Sequence, residues 1–272
     1  MAILFYYSKR LIKLYEVGPV EKKIYALRKK HPLVVPQLDP DKFKVTQAKK
    51  WLKSVKDLGL TFIALGGSIM DPLHTQELLD IAIDDYDFDV VLYLTANLGS
   101  IKGRKDKSAI YWMQVPNSLN SFYNWDGLIS TSLQIPHSNL EPIPTVYVFD
   151  DRDYLGTSNW IVRSNPIPRA KPEISLAVAR AAQYLGIRFY IMAGGSGSSK
   201  PPSPLHVSKL ATNTSLFTIP TSGITTEIQA KSLFEAGADA IHLGNLLETS
   251  NGFKVLAKIV STAKMYPGKE FI

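Results

Sequence analysis

Short apolar runs alternate along the chain with longer stretches of helical period. "LVVPQL" (33–38) precedes "VTQAKKWLKSVKDLG", "TFIALGG" (61–67) precedes "HTQELLDIAID", and "DVVLYLT" (89–95) follows. "AIYWMQV" (109–115) leads to "NSLNSFYNWDGLIS", and "TVYVFD" (145–150), after a loop, to "KPEISLAVARAAQYLG". "RFYIMAGG" (188–195) precedes "PLHVSKLA", "SLFTIP" (215–220) precedes "TTEIQAKSLFEAG", and "DAIHLGN" (239–245) precedes "GFKVLAKIVSTA". Strand patterns alternating with helical ones predict parallel βαβ units. Eight of them predict a closed (β/α)8 TIM-like barrel of about 250 residues. The stretch after the third run is basic and glycine-containing and reads as a poor helix. The proline-rich region 142–172 and "SSKPPSP" (198–204) read as long loops.

Residues 1–22 read as an N-terminal extension and 23–272 as one barrel domain. The extension's "MAILFYYSKRLIKLYEV" mixes apolar and basic residues without a small-residue cleavage site, unlike a signal peptide. It reads as a helix packed on the domain, with an amphipathic helix touching a membrane surface as the alternative. No apolar run approaches the ~18–20 residues that span a membrane. The chain has no cysteine, which rules out disulfides, thiolate zinc sites and cysteine nucleophiles, and fits a reducing, cytoplasmic setting. The net charge of +7 points to anionic partners. Its densest runs, "RKKH" (28–31) and "KGRKDK" (102–107), read as solvated faces. No nucleic-acid-binding motif accompanies them.

A barrel of this kind carries its site at the C-terminal ends of the strands. The pattern therefore gathers Asp39 from the first strand, Gly66, Gly67 and Ser68 from the second, and Tyr190 through Gly197 from the sixth. Thr221, Ser222 and Gly223 come from the seventh, and Gly244 and Asn245 from the eighth. The last two ends, each followed by a helix start, are the fold's usual phosphate site. Asp39 and Ser68 offer hard oxygens from adjacent strands, which suits Mg²⁺ holding a diphosphate. Plainer readings exist for each. A turn glycine relieves backbone strain, and Asp39 in "LDPDK" caps a helix. His242, on an apolar strand, reads as a packed core residue, and Trp112 and Met113 as core or interface. No serine–histidine–acid triad is indicated.

With these residues assembled, the chain resembles the geranylgeranylglyceryl phosphate synthase family over roughly residues 22–264. The resemblance is carried by "LDPDK" (38–42), "GGS" (66–68), "NS" (117–118), "EPIPTVYV" (141–148), "PIPRAKPEISLAVARAAQYLG" (166–186), "EAGADAIHLGN" (235–245) and Glu248. It implies a prenyltransferase that joins the 3-hydroxyl of sn-glycerol 1-phosphate to C1 of geranylgeranyl diphosphate with Mg²⁺, as in archaeal ether-lipid synthesis. Asp39 and Ser68 match the family's metal positions. Tyr190, Gly194, Gly197, Gly244 and Asn245 match its glycerol-phosphate positions. Gly195, Ser196, Thr221, Ser222 and Gly223 complete the expected phosphate loops.

The sequence departs from the family at three strand ends. Met192 stands where the sixth-strand motif Tyr-Leu-Glu-Ala-Gly-Ser-Gly has its glutamate. A thioether can neither take a proton nor oppose a cation. An extra glycine, Gly194 or Gly195, shifts the loop register. The seventh-strand Gly-Gly-Gly-Ile becomes "TSGI" (221–224), and the third-strand Phe-Pro-Gly becomes "LTA" (94–96). Gln37 and Lys42 remain as polar neighbours of the metal site. Two readings follow from the resemblance: a prenyltransferase with altered site chemistry, or a catalytically inactive paralogue serving as scaffold, binding or regulatory protein. The second fits association with an active homologue, since the family forms dimers and larger rings.

Overall fold

In the computed structural model, residues 17–93, 98, 100–150 and 156–271 are described. Most of the expected N-terminal extension (1–16) and the "LTA" stretch lie outside them. Strands β1 (Leu33–Leu38), β2 (Phe62–Leu65), β3 (Asp89–Leu92) and β4 (Ser108–Gln114) are followed by β5 (Glu141–Phe149), β6 (Phe189–Ala193), β7 (Phe217–Thr221) and β8 (Ala240–Leu243). They close in chain order into a parallel barrel, β8 pairing back onto β1 with Leu33 opposite Ala240. All eight predicted runs supply a strand, so the (β/α)8 barrel expected from the pattern is the fold that forms.

The runs are apolar throughout because both faces of each strand are buried. Alternation sorts the side chains into two shells. Val35, Ala64, Val91, Tyr111, Tyr147, Ile191 and Ile219 form an inner shell. Val34, Ile63, Val90, Ile110, Val148, Met192 and Ile241 face the helices. The helix α2 (Val45–Asp57) shows how the outer shell is met: Ala48, Trp51, Leu52 and Val55 recur at helical spacing and are all buried.

Helix α1 (Pro19–Arg28) spans both sides of residue 22 and covers the N-terminal end of the barrel. Its first amides, Val20 and Glu21, donate to the Glu141 carboxylate at 2.7 and 3.0 Å. Arg188 donates to both Glu21 oxygens, at 2.6 and 2.7 Å. Tyr25 stacks between Phe189 and Phe271.

The remaining helices are α3 (Pro72–Asp80), α4 (Trp125–Ser132), α5 (Ile135–Ser138), α6 (Thr157–Val162), α7 (Pro172–Tyr184), α8 (Pro204–Asn213), α9 (Glu227–Glu235) and α10 (Gly252–Ala263). The described residues between β3 and β4 hold turns and no helix, as their composition predicts. The expected loop over 142–172 is corrected twice. First, β5 begins at Glu141, because it pairs with β4 from there but with β6 only from Thr145. Pro142 and Pro144 thus lie where one flank has no strand to receive an N–H. Second, α6 forms in the proline-free stretch between them and Pro166, and ends at Arg163 in the left-handed region (φ 50°).

Candidate active site

The C-terminal strand ends open on one cleft. Its walls are Gln37 and Asp39 after β1, Gly67 and Ser68 after β2, Ser196, Gly197 and Ser198 after β6, Thr221 through Thr225 at β7, and Gly244, Asn245 and Glu248 after β8. Tyr93, Tyr147 and His242 line it from the inner shell.

On the β1–β2 side, Asp39 Oδ1 accepts the Asp41 amide at 3.1 Å. The carboxylate lies so close to Gly67 that a Cβ there would overlap it. Burial pushes the Asp39 pKa up to about 6, with the charges of Asp41 and Glu248 adding to the rise and the Asp41 amide and Lys42 opposing it. Lys42 instead pairs with Glu248, at 3.8 Å. This is a carboxylate that a cation would relieve. No group of three histidine, cysteine, aspartate or glutamate side chains able to hold a metal occurs among the described residues. The oxygen donors Asp39 and Ser68 therefore fit a hard ion that keeps water and substrate phosphate oxygens around it, as Mg²⁺ does. They do not fit a closed zinc site.

On the β7–β8 side, Ser222 and Gly223 follow β7 with positive φ, 72° and 64°. A turn at a strand end can converge backbone N–H groups on an anion. Gly223 also packs where a Cβ would collide with the Lys200 carbonyl, which locks this turn against the β6–α8 loop. Gln229 accepts the Thr225 and Thr226 amides at 2.8 and 3.0 Å, fixing the start of α9 beside the turn. Gly244 has open space where a side chain would stand.

Across the top of the barrel, His242 is 1% exposed. Its Nε2 lies 3.1 Å from the Tyr111 hydroxyl, and its Nδ1 has no hydrogen-bond partner. Burial lowers its pKa to about 3. The sequence reading of His242 as a packed core residue is half of the picture, since the same ring lines the cleft.

No family model matches the chain. Geranylgeranylglyceryl phosphate synthase of Pyrococcus furiosus is 30% identical over 247 residues, spanning 89% of this chain and 95% of that protein. That of Nitrosopumilus maritimus is 30% identical over 236 residues, spanning 86% and 92%. The chain belongs to the geranylgeranylglyceryl phosphate synthase family. A family member from Thermoplasma acidophilum, solved with its substrate sn-glycerol-1-phosphate, superposes with a TM-score of 0.82 at 25% identity. The match covers 92% of this chain and all of that one.

Within this family frame, Asp39, Ser68, Ser196, Gly197, Thr221, Ser222, Gly223, Gly244 and Asn245 meet at one cleft. Tyr190, Gly194 and Gly195 do not line it, which corrects the sequence expectation. Tyr190 is wholly buried in the outer shell, since alternation along β6 turns it with Met192 away from the barrel axis. Burial drives its hydroxyl pKa far up, with Ser175 and Asp150 as its polar neighbours. Gly194 and Gly195 serve close packing: a Cβ on Gly195 would overlap the Asn159 amide, and one on Gly194 would crowd Ser198.

Behind β6 lies a buried polar cluster that sequence reading missed. Asp150 Oδ1 is 3.3 Å from His206 Nδ1. Ser175 Oγ is 2.8 Å from the same nitrogen, and His206 Nε2 donates to the Arg169 carbonyl at 2.9 Å. Asp150 Oδ2 accepts the Ser203 amide at 3.2 Å. Sequence reading also missed Tyr93, Tyr147, Ser158 and Ser198 as cleft residues. For the two tyrosines a signal existed: alternation turns Tyr147, two residues before the end of β5, inward, and Tyr93 stands just past β3.

Proposed function

We propose that this protein is a prenyltransferase that joins a prenyl diphosphate to the 3-hydroxyl of sn-glycerol 1-phosphate, with Mg²⁺ as its metal. The observation that carries the reading is the pairing, in one cleft of a chain from this family, of a cation-seeking carboxylate with an anion-seeking turn: Asp39 on one wall, Ser222–Gly223 on the other. Asp39 and Ser68 would hold Mg²⁺, and the bound ion supplies neutralisation of the leaving diphosphate. The Ser222–Gly223 turn and Gly244–Asn245 would hold the glycerol phosphate, so that its hydroxyl is presented in line with the allylic carbon. Ser196 and Gly197 close the same wall. Peripheral contact with a membrane surface suits a prenyl substrate. No helix among the described residues is long and apolar enough to cross a bilayer.

Incorporation of radiolabelled glycerol 1-phosphate into a lipid-extractable product, with geranylgeranyl diphosphate and Mg²⁺, tests the reading. Turnover that disappears in Asp39→Ala supports it. Saturable glycerol 1-phosphate binding without turnover would instead favour the second reading, a non-catalytic family member that binds ligand or partners an active homologue. Met192 is the residue that motivates that alternative.

A further inference from the structure

Ether formation from an alcohol needs a group to take the hydroxyl proton. The cleft offers three groups able to do so: Asp39, Glu248 and His242. Asp39 is assigned above to the cation, and Glu248 is paired with Lys42 at 3.8 Å. His242 differs from both. Its ring is buried, yet its Nδ1 has no partner in the protein. An unsatisfied buried polar atom costs about 1–3 kcal/mol. Such atoms persist at sites where a ligand completes them. Gly244, two residues further along the chain, has open space in place of a side chain, and His242 lines the same cleft. The rings of Tyr93 and Tyr111 flank His242 at centroid distances of 5.7 and 5.6 Å, which fixes the imidazole plane.

Resting on the function proposed above, we infer that His242 is a catalytic residue whose Nδ1 accepts the proton of the glycerol 3-hydroxyl. The required tautomer carries the ring proton on Nε2 and donates it to Tyr111 Oη. The bond from the allylic C1 to the diphosphate oxygen breaks, and its electron pair leaves with the diphosphate. A lone pair of the glycerol oxygen forms the new C–O bond. The O–H pair stays on that oxygen as the proton passes to Nδ1. The imidazolium then returns its proton to the departing diphosphate or to water. Burial keeps the resting ring neutral, and so in its accepting form. An oxygen bonding to an electron-poor allylic carbon is far more acidic than a free alcohol, so a weak base suffices. Tyr93 and Tyr111 flank the ring, Tyr147, Thr221 and Gln37 line the cleft with it, and Asp39 and Glu248 are the charged groups of that cleft.

The test has two arms on the full chain. In the first, wild type and His242→Gln are compared in the prenyl-transfer assay. The expected result is a kcat lowered about 100-fold or more, with KM for glycerol 1-phosphate within threefold. A kcat within threefold of wild type overturns the inference. Absence of turnover in wild type itself overturns the proposed function instead. In the second arm, ¹⁵N NMR of histidine-labelled wild type reads the ring directly, whether or not the variant folds. A pyridine-like Nδ1 that shifts when glycerol 1-phosphate is added supports the inference. A pyrrole-like Nδ1, or no shift on saturation, overturns it.

Discussion

Asp150 Oδ1 lies 3.3 Å from His206 Nδ1, and neither side chain reaches solvent. The pair joins the end of β5 to α8, and Asp150 also holds the Ser203 amide at the end of the β6–α8 loop. Removing Asp150 leaves the buried Ser203 amide without this acceptor, while His206 keeps Ser175 and the Arg169 carbonyl. Asp150→Ala should cost about 2 kcal/mol in urea unfolding. It should also speed amide exchange over residues 196–203. A loop that exchanges as slowly as in wild type would show that Asp150 does not anchor it.

Met192→Glu is the obvious attempt to restore a family carboxylate. The structure predicts that it fails. Met192 is fully buried in the outer shell, opposite Val148 and Pro220 in the neighbouring strands. A carboxyl placed there should cost about 3 kcal/mol, a fall in Tm of roughly 10 °C. Prenyl transfer should not rise. Calorimetry beside the turnover assay reads both, and a stable, faster variant would refute the orientation of β6.

The turn after β7 gives opposite results at adjacent positions. Ser222 occupies the left-handed region with a side chain, at φ 72°. Ser222→Gly should therefore stabilise by about 0.5 kcal/mol. Gly223→Ala should destabilise by more, because its Cβ meets the Lys200 carbonyl. Thermal melts of the two single variants are sufficient to compare them.

The pKa of about 3 at His242 sets an acid limb for stability. The group's folded pKa lies below its unfolded value near 6.5. Between them the unfolded chain binds the extra proton, so unfolding becomes easier as pH falls. His242 should impose a loss of up to about 1.4 kcal/mol per pH unit below 6.5, continuing towards pH 3. His242→Leu should flatten that limb. Stability curves from pH 4 to 7 that overlay for the two proteins would exclude the effect.

Asp39 should behave in the opposite sense. Its raised pKa means that its charge opposes folding above pH 6. Asp39→Asn should leave stability at pH 7 unchanged or slightly higher while abolishing Mg²⁺-dependent turnover. Lower stability together with retained turnover would mean that Asp39 is a helix cap and not a metal ligand.

The barrel was readable in the sequence because burial on both strand faces writes an unbroken apolar run, and eight such runs stand out between amphipathic segments. The Asp39, Ser68 and Gly244–Asn245 positions were readable because strand ends are marked by a change to glycine and polar residues. What was not readable is rotation. "RFYIMAGG" does not say which of Tyr190 or Ile191 faces the axis, since both are apolar enough for either shell, and only the closed register decides. The Asp150–His206–Ser175 cluster escaped for another reason. Its members are 56 residues apart at the extremes, and each alone reads as an ordinary loop or helix residue.

The Glu141 cap on α1 has a kinetic consequence. Helix α1 is held by residues more than a hundred positions downstream, Glu141 and Arg188, and its Tyr25 stacks on Phe271. Such long-range closure is slow to nucleate. During synthesis this helix must wait until Glu141, Arg188 and Phe271 have been made. Closure of that end is therefore among the last events of folding.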